Sequence, residues 1–332
     1  MFTSYDTLNS ILAHTSMKGW MKFLLYPGNL EMFSSDHRDM PIGQAAFQGE
    51  TPWNTNLKGV SEQIVDTANL VLEIESGRRD CLQLPHFGNY IPGEETSLDD
   101  PEARFMITSD INLKSDRKRP CVLILPGGGY EHVSFQNEGT PLQWLFERNG
   151  YAAFTLRYRV GSARYPKPQE DVITALKFIY ENADKWGIDK ENIGLMGFSA
   201  GGHLAASVAG LYKELGYDHK PAFVLLGYPV ITFKKNVTHE GSVQFLLGEK
   251  ADAMREKLSV ENMITGDYPP TFAWANLDDD CVPPENTKLL EAALEKAGVK
   301  HKCVYYPKGG HGCGLAYDNS AWEWSTEMFR FL

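Results

Sequence analysis

Asn192-Ile193-Gly194-Leu195-Met196-Gly197-Phe198-Ser199-Ala200-Gly201-Gly202-His203 is an apolar run that breaks at a serine between glycines and resumes as a helical pattern. Ile193 to Met196 suit a buried strand. Ala200, Leu204, Ala205, Val208 and Leu211 recur at helical spacing, so Ser199 falls at a strand-to-helix junction. Gly197 and Gly201 complete Gly-Phe-Ser-Ala-Gly, the G-x-S-x-G nucleophile elbow. Glycine is needed there for steric reasons, because the turn is tight and strained and side chains on either side of it would collide with the adjoining strand and helix. The turn holds the Ser199 hydroxyl out above a sheet, and the Ala200 amide, at the start of the helix, is placed to donate to a developing oxyanion. An ordinary tight turn with a helix-capping serine is the plain alternative. The strand and helix that flank the motif favour the elbow.

A serine hydroxyl is a poor nucleophile at neutral pH, so it needs a base near its proton and an anion to orient that base. On a sheet of this kind the partners follow the serine in the order acid, then histidine, in loops at the same strand ends. Leu277-Asp278-Asp279-Asp280-Cys281-Val282-Pro283 comes after the strand-like Thr271 to Asn276, and Pro307-Lys308-Gly309-Gly310-His311-Gly312 follows Cys303 to Tyr306. Among nine histidines, His311 is singled out by its glycine-rich loop after the last strand, where an imidazole can swing close to the elbow. Chemistry alone leaves the acid open among Asp278, Asp279 and Asp280; we take Asp279, with its neighbours as solvated or loop-capping residues.

Negative charge on a tetrahedral oxygen needs donors. Leu125-Pro126-Gly127-Gly128-Gly129-Tyr130 follows an apolar strand, in the position of the HGGG-type loop of lipases and esterases. The amides of Gly128 and Gly129 are therefore expected to form an oxyanion hole with that of Ala200. A dinucleotide-binding turn is disfavoured, because Glu131 and His132 follow where G-x-G-x-x-G needs another glycine. From their location, Tyr130 and Trp274 are expected to line the acyl pocket. His203 and Cys313 lie near the site in sequence but have no partner at metal-ligand spacing, so packing or supporting roles are expected for them and no metal.

From Arg104 onward strands alternate with helices. Strands are expected at Phe105 to Ile107 (short and edge-like), Cys121 to Leu125, Tyr151 to Tyr158, Phe223 to Tyr228, Thr271 to Asn276 and Cys303 to Tyr306. Helices are expected at Thr140 to Arg148, Glu170 to Trp186 and Glu285 to Ala297, the last closing at Gly298. The alternation implies parallel crossovers and a doubly wound, mostly parallel sheet with helices on both faces. Residues 232–263 are longer than a crossover requires and read either as a lid over the strand ends or as a decorated connection. Residues 1–100 form an N-terminal extension ahead of a catalytic domain over 101–332. The extension carries a candidate strand at Leu70 to Ile74, and its aromatics (Trp20, Phe23, Tyr26, Phe33, Phe47, Trp53) either face substrate or anchor the segment to the main body. A contribution to the pocket or to an oligomer interface is the role open to it.

With 332 residues and a net charge of −11, the chain offers no basic stripe for a nucleic-acid backbone. Five scattered cysteines, without C-x-x-C spacing, speak against a zinc site or a disulfide framework and fit a reducing compartment. No signal peptide or membrane span is read at the N-terminus, which makes a cytoplasmic location the default expectation.

From about Cys121 to the end, the chain resembles the α/β-hydrolase superfamily, and within it the acetyl-esterase and acetylxylan-esterase-like carboxylesterases. The resemblance rests on Leu125-Pro-Gly-Gly-Gly-Tyr130, Tyr158-Arg159-Val160, Tyr165 to Asp171, Ile193 to Ala205, Pro269-Pro-Thr-Phe272, Asp279 to Asn286 and Tyr306 to Gly312. It places the acid three residues before the valine of D-D-x-V-P, at Asp279, and it implies an acyl-enzyme on Ser199 with Gly128, Gly129 and Ala200 around the oxyanion. Pro126 stands where many relatives have the histidine of HGGG, which removes a side chain but no amide donor. The implied function is a serine carboxylesterase releasing a short acyl group, acetyl foremost, from a small or carbohydrate-linked alcohol, with no cofactor. The rivals are an amide-cleaving hydrolase of the aryl formamidase or prolyl-oligopeptidase type and a non-catalytic binding protein on the same fold.

Overall fold

The computed structural model describes residues 1–20, 35–45, 57–93, 100, 103–110, 117–317 and 319–332. Among these, nine strands form one sheet: β1 (Cys81–Gln83), β2 (Gly88–Asn89), β3 (Phe105–Ile107), β4 (Arg119–Leu125), β5 (Ala152–Arg157), β6 (Ile188–Phe198), β7 (Val224–Gly227), β8 (Thr271–Asn276) and β9 (His301–Tyr306). Their spatial order is β2-β1-β3-β5-β4-β6-β7-β8-β9. The pairings from β5 through β9 are parallel, and those joining β5, β3, β1 and β2 are antiparallel. The chain places β5 on one side of β4 and β6 on the other, so the winding direction reverses at β4. In open parallel sheets such a reversal leaves a crevice beyond the carboxyl ends of the strands, where ligands bind.

β4 shows why the sheet is covered twice. Val122 and Ile124 point to one face, Cys121, Leu123 and Leu125 to the other, and all five are buried. The second set packs with Leu176 and Ile179 of the helix Lys167–Asn182 and with Leu204 and Val208 of the helix Ser199–Leu211. The first set meets Leu142 and Phe146 of the helix Thr140–Arg148 and Trp324 and Met328 of the C-terminal helix Trp324–Phe331. The helix Glu285–Ala297 ends at Gly298, whose φ of 69° is the left-handed cap that glycine tolerates.

Two expectations need correction. Leu70 to Ile74 lie in the helix Leu57–Glu75 rather than in a strand. The run is rich in strand-favouring residues, but Ile64, Ala68 and Val71 are buried at helical spacing, and burial of that face outweighs local propensity. β3 is not an edge strand: it sits between β1 and β5, and all three of its residues are buried. The hairpin of β1 and β2, which precedes it by some twenty residues in sequence, covers the edge that the short strand would otherwise expose.

The described part of the first hundred residues buries Leu8, Ile11, Met17, Trp20, Ile42, Ile64 and Val71 in a cluster shared with Phe105, Ile107 and Phe135. Arg79, itself buried, ties this region to the helix Thr140–Arg148 through a two-pronged ion pair with Glu147, at 2.7 and 2.8 Å. Phe23, Tyr26, Phe33, Phe47 and Trp53 lie outside the described residues. Among the described residues, no helix is long and apolar enough to cross a membrane.

Candidate active site

β6 ends at Phe198 and the helix begins at Ser199, whose φ of 52° is a left-handed conformation that a non-glycine residue holds only under constraint. The constraint comes from close packing on either side. A Cβ on Gly197 would sit 2.1 Å from the Gly201 carbonyl oxygen, and one on Gly201 would sit 2.1 Å from that of Leu125 on β4. Helix and neighbouring strand are thus drawn against the elbow, and the serine side chain is left facing the crevice.

The loops after β8 and β9 bring two partners to it. His311 Nε2 lies 2.8 Å from Ser199 Oγ, and Nδ1 lies 2.7 Å from Asp279 Oδ2. The other Asp279 oxygen accepts from the main-chain N–H groups of Cys281 (3.0 Å) and Val282 (2.9 Å), which fixes the carboxylate in its own loop. The three consecutive aspartates prove to have different surroundings. The Asp279 side chain is buried, whereas Asp278 and Asp280 are exposed residues. Asp278 Oδ1 accepts from the N–H groups of Gly309 and Gly310, both at 2.9 Å, and so braces the loop that carries His311. Asn276, at the end of β8, adds a bond from Nδ2 to the Gly310 carbonyl at 2.8 Å.

Gly128 (φ 121°) and Gly129 (φ 65°) line the cavity beside Ser199. Among the described residues their amides donate to no protein acceptor. Any side chain on Gly128 would run into the His132 carbonyl oxygen at 2.3 Å. The Ala200 amide belongs to the first turn of its helix, where N–H groups have no intrahelical acceptor.

Beneath this loop lies a carboxyl group that the sequence reading did not single out. Glu138 is fully buried; Oε2 accepts from Gly127 N–H at 2.7 Å, and Oε1 accepts from the Tyr228 hydroxyl at 2.7 Å. Tyr228 oxygen in turn accepts from Gly314 N–H at 2.8 Å, and its ring stands edge-on to His311 with centroids 4.9 Å apart. Burial pushes the Glu138 carboxyl above the usual range, against the opposing pull of Tyr228, His311 and Gly127. This bridge joins the Gly127–Gly129 loop to the loop after His311. Glu138→Ala would leave two buried donors, Gly127 N–H and Tyr228 O–H, without their acceptor, at about 1 to 3 kcal/mol each. We therefore expect a loss of about 2 to 6 kcal/mol of stability in urea unfolding; a change below 1 kcal/mol would mean that the bridge is dispensable.

The cavity at Ser199 measures about 240 Å3, and Glu131, His132, Ser134, Asn137, His239 and His311 are among the residues that line it. His239 comes from residues 232–263, the segment in which a lid or a decorated connection was expected. Tyr130 and Trp274 are not among the lining residues, contrary to expectation, and both are fully buried. Trp274, in the middle of β8, stacks on Trp324 under the opposite face of the sheet. Tyr130 turns inward, and its hydroxyl lies 2.8 Å from His203 Nδ1, while His203 Nε2 lies 2.8 Å from the Leu258 carbonyl. A carbonyl can only accept, so His203 carries its proton on Nε2 and Tyr130 donates to Nδ1. Burial holds this imidazole down at about 4, so it is neutral and serves as a strut between the Gly127–Gly129 loop, the elbow helix and the 232–263 segment. The side chains missed in the sequence, Glu138, Tyr228 and His239, lack any local motif, whereas Asp278, expected as a solvated or loop-capping neighbour of the acid, does brace a loop. A larger cleft of about 590 Å3, between Asp66, Trp144, Arg148, Tyr317 and Trp322, contains none of the candidate site residues.

Residues 110–294 match the family model described as BD-FAE, a stretch that includes Ser199 and Asp279 and stops short of His311. Over 224 residues the chain is 34% identical to endo-1,4-beta-xylanase B of Butyrivibrio fibrisolvens, covering 63% of this chain and 35% of that protein. Over 222 residues it is 29% identical to the acetylxylan esterase of Xylanibacter ruminicola, covering 62% of this chain and 46% of that one. The chain thus spans between a third and a half of the length of these two curated relatives. The crystal structure of the acetyl ester-xyloside bifunctional hydrolase from Caldicellulosiruptor lactoaceticus superposes with a TM-score of 0.67 at 34% identity, covering 76% of this chain and 94% of that one. With a model match over more than half of its length and the α/β-hydrolase sheet in place, the chain belongs to the BD-FAE family of α/β-hydrolases.

Proposed function

We propose that this protein is a serine carboxylesterase that removes short acyl groups, acetyl foremost, from hydroxyl-rich alcohols such as acetylated xylan fragments, with Ser199, His311 and Asp279 as its catalytic residues. The observation that carries the reading is the Ser199–His311–Asp279 relay, at 2.8 and 2.7 Å, opening onto a cavity edged by the Gly128 and Gly129 amides. In the first half-reaction His311 takes the Ser199 proton as Oγ attacks the ester carbonyl. The Gly128, Gly129 and Ala200 amides receive the developing oxyanion, each such donor contributing about 3 to 4 kcal/mol to the transition state. His311 then hands its proton to the departing alcohol, and water repeats the sequence on the acyl-enzyme. Asp279 holds Nδ1–H throughout and stabilises the imidazolium. A cavity of about 240 Å3, with Glu131, Ser134, Asn137 and His239 at its wall, suits a small acyl group on a polar alcohol better than a long aliphatic chain. The relatives named for xylan chemistry support the same substrate class.

The reading is tested with a nitrophenyl ester series from acetate to octanoate, acetylated xylo-oligosaccharides and nitroanilide amides. Acetate is expected to exceed octanoate by at least about a hundredfold in kcat/KM, given that each methylene that does not fit a pocket is worth about 1 to 3 kcal/mol. Amide turnover above ester turnover would overturn it.

A further inference from the structure

Of the three imidazoles that line the Ser199 cavity, His132, His239 and His311, the relay uses only the last. His239 caps the helix Glu240–Leu247, its Nδ1 meeting the main-chain N–H of Ser242 at 3.2 Å and the Ser242 hydroxyl at 2.9 Å. A main-chain N–H can only donate, so Nδ1 must accept, and in a neutral ring the proton then resides on Nε2. Burial, reinforced by the nearby His311 and only partly opposed by Asp279 and Glu240, holds this imidazole below its usual range, which keeps it neutral. Among the described residues nothing accepts from Nε2, and the ring forms part of the cavity wall with Ser199. The cap holds the ring through Nδ1, and Gly129 lies beside its edge, where an added Cβ would come to 3.5 Å of Cε1. The result is a neutral N–H donor of settled tautomer on a ring that lines the cavity of Ser199.

We propose that His239 is a specificity-determining residue whose Nε2–H donates to an oxygen of the sugar portion of the ester, so that the 232–263 segment selects hydroxyl-rich alcohols. The inference rests on the esterase reading above. A donor of this kind discriminates strongly, because an alcohol without a matching oxygen leaves it unpaired on binding.

The test uses the full chain and two variants. His239→Asn keeps a cap acceptor at the Nδ1 position and removes the donor; His239→Gln places an amide N–H near the Nε2 position. For each protein, kcat/KM is measured on acetylated xylotriose and on nitrophenyl acetate, whose alcohol has no sugar oxygens, and the ratio of the two is taken. The ratio is expected to fall about tenfold in His239→Asn, with a melting temperature close to wild type, and to recover at least in part in His239→Gln, which gives up the cap and melts somewhat lower. An unchanged ratio in His239→Asn, with wild type active on both esters, would overturn the role of His239 and leave the esterase reading standing. Wild type inactive on the sugar ester but active on nitrophenyl acetate would overturn His239 together with the carbohydrate part of that reading; inactivity on both would overturn the esterase assignment itself.

Discussion

Ser199→Ala is expected to lower kcat by about four to six orders of magnitude while moving the unfolding free energy by less than about 1 kcal/mol. The magnitude follows from the geometry. Ser199 is the hydroxyl paired, at 2.8 Å, with the imidazole that Asp279 orients, and the other serine–imidazole contact of the cavity wall, Ser134 Oγ with His132 Nε2, is longer at 3.3 Å, so the variant retains only what binding and the Gly128 and Gly129 amides provide. Stability is spared because the backbone strain at φ 52° is shared by serine and alanine alike, and because the lost hydroxyl faces an open cavity where water can meet His311. Single-turnover kinetics on nitrophenyl acetate, with a fluorophosphonate probe to count reactive serines, checks both halves. A variant that kept more than about one part in a hundred of wild-type kcat would place the nucleophile elsewhere.

Asp279→Asn is expected to reduce kcat by about three to four orders of magnitude, although it changes one atom and no volume. The Cys281 and Val282 amides pin one oxygen of this side chain as an acceptor. An asparagine must therefore point its NH2 at His311 Nδ1, which forces the imidazole into the tautomer with its proton on Nε2. That nitrogen then faces Ser199 as a donor and has no lone pair for the serine proton. The same substitution at Asp278 removes charge from a loop brace and is expected to cost less than about tenfold, and at Asp280, exposed, close to nothing. Equal losses at the three positions would remove the distinction drawn between them. The comparison resolves by kinetics what three identical neighbouring side chains leave open in the sequence.

Much of the architecture is legible along the chain because the relevant information is local. The unbroken apolar run Cys121 to Leu125, which marks a strand buried on both faces, and the helical recurrence after Ser199 are both visible within a dozen residues. The helix Thr140–Arg148 and the strand Thr271–Asn276 fall where their spacing predicts. Leu70 to Ile74 failed for the converse reason, since a run of five with four apolar residues suits a strand or a buried helix equally and the deciding contacts come from elsewhere in the fold. The pocket wall failed similarly. Tyr130 and Trp274 are adjacent in sequence to cavity loops, yet a residue beside a site in sequence can point away from it, and theirs are drawn into buried rings and hydrogen bonds.

By itself the sequence determined a strand-turn-helix elbow at Ser199, a glycine loop after β4, and an acidic and a glycine-rich histidine loop after two later strands, because each depends on neighbours a few residues apart. Only the tertiary structure decided that Glu138 and Tyr228, ninety positions apart, join two loops, and that His239 lines the same cavity as Ser199. Such meetings are made by packing distant segments around one buried sheet, and the shape of that packing is a property of the whole chain that no short window of it contains.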